Sequence, residues 1–200
     1  MAPGIGTVQI TQVNNIQGSL QDVERVFLFI GEAAISDNDG EILAISPRSD
    51  LDTLFGEADS RLKTAITAAI ANAVSENFRC YAAPVDPVAD DWTDTLDTAL
   101  GPPNDLAVEG VVLTTPMTAG ADITAAQTAL NNMLSTYGKF LTCHCCIAGV
   151  GDETWSEYTA ASLSLIDGVS ADRVAVVPLL HGNNLGVVIG RLCNPAVTIA

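Results

Sequence analysis

The chain is poor in positive charge. Among 200 residues only eight are Lys or Arg, against 24 Asp or Glu, a formal net charge of −16. A surface of that sign repels a nucleic-acid backbone and an anionic membrane, so neither is expected as a partner. No run of eighteen apolar residues occurs, and Met1-Ala2-Pro3-Gly4 lacks the basic start and apolar stretch of a signal peptide. A soluble, non-exported protein is the expectation. Only two lysines are present, Lys63 and Lys139, and neither lies in a G-x-x-x-x-G-K-[ST] pattern, which excludes a P-loop. No G-x-S-x-G elbow is found, which argues against an α/β-hydrolase. No repeat of 20–50 residues and no low-complexity linker breaks the chain.

What is present is apolar and alternating. At 48% hydrophobic residues, a chain of this length can bury a substantial core. Ile5–Val13 alternates apolar and polar residues, the pattern of an exposed or edge strand, and Asn14–Gly18 ends it. Buried strands are predicted at Val23–Ile30, Glu41–Ile45, Arg79–Pro84, Val108–Thr115, Phe140–Val150 and Arg173–Leu180. Helices are predicted between them: a short turn from Asp50 to Gly56, then Asp59 or Ser60 through Val74, Asp91–Leu100, Asp122–Tyr137, Thr154–Ile166 and Leu185–Leu192. Strands separated by helices of ten to twenty residues imply an α/β fold, a mainly parallel sheet with helices on both faces. The unbroken apolar character of Val111–Leu113 and Val174–Val177 predicts strands buried on both sides.

Candidate chemistry is sparse. Cys143-His144-Cys145-Cys146 combines a C-x-x-C with a histidine, but a strand sends Cys143 and Cys145 to one side and His144 and Cys146 to the other. The four cannot converge on one ion, and no distant pair completes a zinc site. Four of the five cysteines sit in segments that read as buried strand or helix, where reduced thiols are expected, with no metal and no cofactor. Gly149-Val150-Gly151 stands where a dinucleotide loop would. However, Thr154 replaces its third glycine, and Asp152-Glu153 would repel a pyrophosphate, so these acids read as helix-start residues. His181 is the one histidine placed as a catalytic group would be, and no nucleophile is positioned for it. Catalytic, cofactor-binding and metal residues are therefore all read as none. Gly182, Gly186 and Gly190 recur every four residues, predicting a close-packed helix side, and Arg191 falls at its carboxyl end.

Several phrases carry a resemblance. These are Asp22–Gly31, Asp50-Leu51-Asp52-Thr53-Leu54-Phe55-Gly56, Trp155-Ser156-Glu157-Tyr158, and His181–Gly186 running to Gly190-Arg191-Leu192. Together with the order of elements, they resemble the sheath proteins of contractile bacteriophage tails, and within these a phage family known as a domain of unknown function. The resemblance implies a non-enzymatic, self-assembling virion protein of the tail sheath, assembled in the host cytoplasm. Its expected partners are neighbouring sheath subunits, which exchange strands through arms, the tail tube, and the baseplate and tail terminator proteins. It divides the chain into an N-terminal arm, residues 1–20, and an α/β sheath-like domain, residues 21–200, with the C-terminal sheath domain expected to be missing. A cytosolic α/β enzyme or small-ligand-binding domain, with a site near the Gly149–Glu153 and His181–Asn184 loops, is the alternative reading of the same residues.

Overall fold

Branched and aromatic residues at the centre of the chain build a six-stranded sheet in the computed structural model, which describes residues 25–86 and 91–194. The strands are β1 (Phe27–Gly31), β2 (Leu43–Ile45), β3 (Cys80–Pro84), β4 (Gly110–Met117), β5 (Thr142–Ile147) and β6 (Val174–Pro178). Their order across the sheet is β2-β3-β1-β4-β5-β6. All pairings are parallel except β2 with β3, which is antiparallel. The α/β class expected from the alternation is the one observed. Ile5–Val13 and the arm boundary at residue 20 lie outside the described residues.

Among the described residues six helices accompany the strands: α1 (Leu51–Phe55), α2 (Arg61–Ala73), α3 (Trp92–Leu100), α4 (Gly120–Tyr137), α5 (Trp155–Ile166) and α6 (Asn184–Leu192). Their starts follow the polar residues picked from sequence. The side chains of Asp50, Ser60, Asp91 and Thr154 each accept a hydrogen bond from a backbone N–H of the first turn. Thr154 and Glu157 close a reciprocal capping box. Helix α4 begins two residues before the expected Asp122, whose carboxylate reaches back to the N–H groups of Thr118 and Ala119.

The sheet separates two cores. On one face, Leu28, Ile30, Val111, Leu113, Cys143 and Cys145 pack against α3 and α4. On the other, Phe27, Phe29, Val112 and Cys146 pack against α1, α2 and α6. The residue pairs Phe27/Leu28 and Val111/Val112 send neighbours to opposite cores, the period of two realised on a doubly covered sheet. In β4 the register shifts between Leu113 and Pro116, where a proline without an N–H is accommodated by the irregularity.

Three expectations are corrected. Val174–Val177 is not buried on both sides: β6 is the outer strand, and Ala175 and Pro178 are exposed. Its apolar composition belongs to a sheet margin, a distinction that composition does not carry. The strand from Phe140 to Val150 is shorter, Thr142–Ile147, because Ala148–Gly151 turns away to begin the α5 connection. Finally, Gly182 does not share a helix side with Gly186 and Gly190. It precedes α6 with φ +74°, a left-handed conformation that glycine adopts readily.

Candidate functional site

An open α/β sheet of this winding has its natural crevice at the carboxyl ends of the strands, where successive connections leave in opposite directions. Here that point lies between β1 and β4, because the chain winds outward to β3 and then crosses β1 to reach β4. A cavity of about 350 Å³ occurs there, lined by Ile30, Gly31, Trp92, Leu113, Met117 and Asp122 among others. Its one carboxylate is committed. Asp122 accepts hydrogen bonds from the Thr118 N–H, the Thr118 hydroxyl and the Ala119 N–H, and the Thr118 backbone bond foremost holds its pKa below the ordinary value. Asp122 thus fastens the entry to α4.

The cysteine strand is arranged as the alternation requires. Cys143 and Cys145 join one core, and Cys146 joins the other. His144 lies on the Cys146 side, its ring edge-to-face with Phe27 at 5.6 Å between centroids. Burial pushes the Cys145 thiol up to about 11 and Cys146 up to about 12, and raises Cys143 well above its ordinary value. The same burial lowers the pKa of His144. Among the described residues, no group of three His, Cys, Asp or Glu side chains is placed to hold a metal ion. These thiols are protonated at neutral pH and are poor nucleophiles.

The two loops of the alternative reading are neighbours. A Cβ on Gly149 would stand 2.2 Å from the Leu179 carbonyl oxygen, so only glycine lets the β5–α5 loop pass the chain leaving β6. Within the first loop, the Glu153 carboxylate accepts from the Gly151 N–H. Within the second, the His181 N–H donates to the Asn184 side chain at 2.7 Å, which ties the turn that starts α6. Both loops spend these polar groups on local structure. No nucleophile–base pair forms between them among the described residues.

Glycines in α6 serve helix packing. A Cβ on Gly186 would lie 2.0 Å from the Ala65 carbonyl oxygen, and one on Gly190 would lie 2.5 Å from that of Ala69. The partner is therefore α2 of the same domain, whose Ala65 and Ala69 face the glycines one turn apart. Arg191 stands in the last turn of α6, where a cation favours the helix dipole.

The feature that composition did not reveal is an apolar flank. Trp155 is 65% exposed, Leu163 61% and Phe140 68%, with Ile166 and Leu180 also exposed. These lie between residues 140 and 180, Val74 and Leu134 are exposed elsewhere, and the Arg173 guanidinium stands over the Phe140 ring. Helix α5 has no buried residue, and its one charged side chain, Glu157, is spent in the capping box. An aromatic-bearing helix with a single charge, on a chain of charge −16, has the composition of an interface core rather than of a solvated surface. The signal available in sequence was the single charge across Trp155–Ile166, which tertiary burial would have explained equally well.

Comparison with known proteins gives one coherent picture. The family model DUF2586, N-terminal domain, matches residues 5–200. Among curated proteins, a Haemophilus phage HP1 protein named "Putative tail sheath protein" is 33% identical over 200 residues, covering 97% of this chain and 52% of its own length. The chain spans about half the length of the curated relative it matches.

Proposed function

The chain belongs to the DUF2586 family, and on that premise we propose that it is a structural subunit of a contractile phage tail sheath. Its subunits polymerise around the tail tube and repack on contraction, driving the tube through the host envelope. The observation that carries this reading is the similarity to the phage HP1 protein, 33% identical along 97% of the chain. The exposed Trp155, Leu163 and Ile166 of α5 support it, because a subunit that repeats must bury surface against copies of itself. The remaining parts of the proposal follow. Residues 1–20 act as an arm and residues 21–200 as the sheath domain. The partners are neighbouring subunits, the tube, and the baseplate and terminator proteins. The site of action is the virion tail after assembly in the host cytoplasm.

The test is direct. Protein expressed from the complete reading frame is concentrated and imaged in negative stain. Tubes or stacked rings are expected. Single particles at every concentration, together with turnover of a small molecule bound in the crevice between β1 and β4, would replace the structural reading with the enzyme alternative.

A further inference from the structure

The five cysteines of the chain are not placed alike. Cys143 and Cys145 lie two residues apart on one side of β5 with parallel side chains, a placement that a disulfide does not join. Cys146 belongs to the opposite core, where its thiol donates to the Leu113 and Thr114 carbonyls. Cys80 opens β3, buried in that second core, and three strand spacings, about 14 Å, separate β3 from β5. Cys193 caps the carboxyl end of α6 and packs half-buried against the same core. Its thiol donates to the Arg25 carbonyl at 3.4 Å, which fixes its position. Along this chain segment the Gly31 carbonyl accepts from the Val85 N–H on the β3 side, and the Val26 carbonyl accepts from the Glu109 N–H on the β4 side. By that alternation the Arg25 carbonyl faces β3. The register pairs Leu28 with Tyr81, so Cys80 stands one step earlier, beside Phe27. Both thiols therefore meet the amino ends of β1 and β3 from one core. Charge on Cys193 also raises the pKa of Cys80, as a near neighbour of like sign does.

We propose that Cys80 and Cys193 are a disulfide-forming pair, a modification site that clamps the end of α6 to β3 when the protein leaves a reducing compartment. The bond itself does not rest on the sheath reading. Only its occasion does, because a virion passes from the host cytoplasm to an oxidising exterior. A small-molecule disulfide such as oxidised glutathione serves as the oxidant. Cys193 attacks first, being the less buried of the two. Burial pushes its thiol up to about 11, the Arg25 cation pulls it down and the Glu109 carboxylate pushes it up, while burial raises Cys80 further. The Cys193 sulfur bonds one glutathione sulfur and releases the other, which takes the Cys193 proton. Cys80 then displaces the bound glutathione, and its proton leaves with that group. Two protein thiols are thereby oxidised to one disulfide, and one small disulfide is reduced to two thiols. The bond closes a loop containing every element from β3 to α6. A loop that long is the case in which a cross-link removes most entropy from the unfolded chain.

The test uses the protein with its native cysteines. One sample is acid-quenched directly from a cytoplasmic expression host, and another is purified under reductant and moved into oxidised glutathione at mildly alkaline pH. Free thiols are counted after denaturation, and peptides of a non-reduced digest are identified by mass spectrometry. The quenched protein should carry five free thiols and the oxidised protein two fewer, with one peptide pair joining Cys80 to Cys193. Oxidation should raise Tm by about 5–15 °C, and added reductant should reverse the rise. Cys80→Ala should stop at a glutathione adduct on Cys193 and lose the rise. Cys193→Ala should leave the buried Cys80 unmodified. Five free thiols after prolonged oxidation of the parent, a bond between any other pair, or a link only between two chains overturns the pair. A bond already present in the quenched sample overturns the change of compartment as its occasion. A bond that leaves the melt unaltered overturns the clamp. None of these outcomes depends on whether tubes form, so the sheath reading stands or falls separately.

Discussion

At Gly186 the fold depends on a missing side chain. The nearest atom to an added Cβ is a backbone oxygen of α2, which cannot rotate away as the end of a side chain could. Gly186→Leu is expected to destabilise the domain by about 3 kcal/mol through overpacking, a fall in Tm of about 6–12 °C for a domain of this size. His181→Ala, at an exposed turn whose tie is made by its backbone N–H, should stay within about 0.5 kcal/mol of the parent. Paired thermal melts check both. If the glycine variant melts with the parent, the α2–α6 seam does not have the geometry described. Asp122 supplies a second test at this scale. Its pKa is lowered in the folded chain from the ordinary 3.8, so its contribution is present above that value and is lost as pH falls further, through the folded pKa. Asp122→Asn should flatten the acid limb of a stability–pH curve below about pH 4. An unchanged acid limb would show that the α4 entry does not hold this carboxylate ionised.

Among the elements, β5 is where sequence invites chemistry and structure withholds it. Alternation divides its cysteines between two cores, and burial raises all three thiols. In native protein Cys143, Cys145 and Cys146 should resist alkylation at neutral pH and react fully after denaturation. Elemental analysis should find no stoichiometric zinc. A group whose folded pKa is raised contributes stability below its unfolded value and loses it as pH rises, so these thiols weaken the fold above about pH 9, where the unfolded chain begins to ionise. Rapid labelling of any of the three at pH 7, or one bound metal per chain, would contradict the packing of this strand. Helix α5 is the converse case. Its sequence reads as an ordinary amphipathic connector, yet none of its residues is fully buried, and only Leu165 packs, half-buried, against the α3–α4 core.

For the whole molecule, an acidic chain carries a helix, α5, with a single charge and exposed apolar side chains. Trp155→Ser with Leu163→Ser and Ile166→Ser should leave the melting temperature nearly unchanged, because these side chains are exposed in the single domain. The same variant should lower self-association measured by sedimentation or by tube yield, since exposed aromatic and aliphatic side chains contribute mainly when a partner covers them. A large loss of stability with unaltered association would place α5 in the interior and remove the flank from the interface.

By itself, the sequence determined local and periodic properties. Polar caps at Asp50, Ser60, Asp91 and Thr154 set the helix starts, since each satisfies donors within its own first turn. Period-two patterns set the strands, and the spacing of Gly186 and Gly190 marked a close approach. The separation of Cys143 and Cys145 from Cys146 was also legible, because a strand has no other way to place them. What only the tertiary structure decided was adjacency. Strand order made β6 a margin rather than a centre, although its valines read like those of β4. It reversed β2 against β3 and directed the α6 glycines to α2 rather than to the sheet or a neighbour. It also left Trp155 and Leu163 outside. An apolar residue records that it is to be covered, but which surface covers it depends on residues far along the chain, or on another copy.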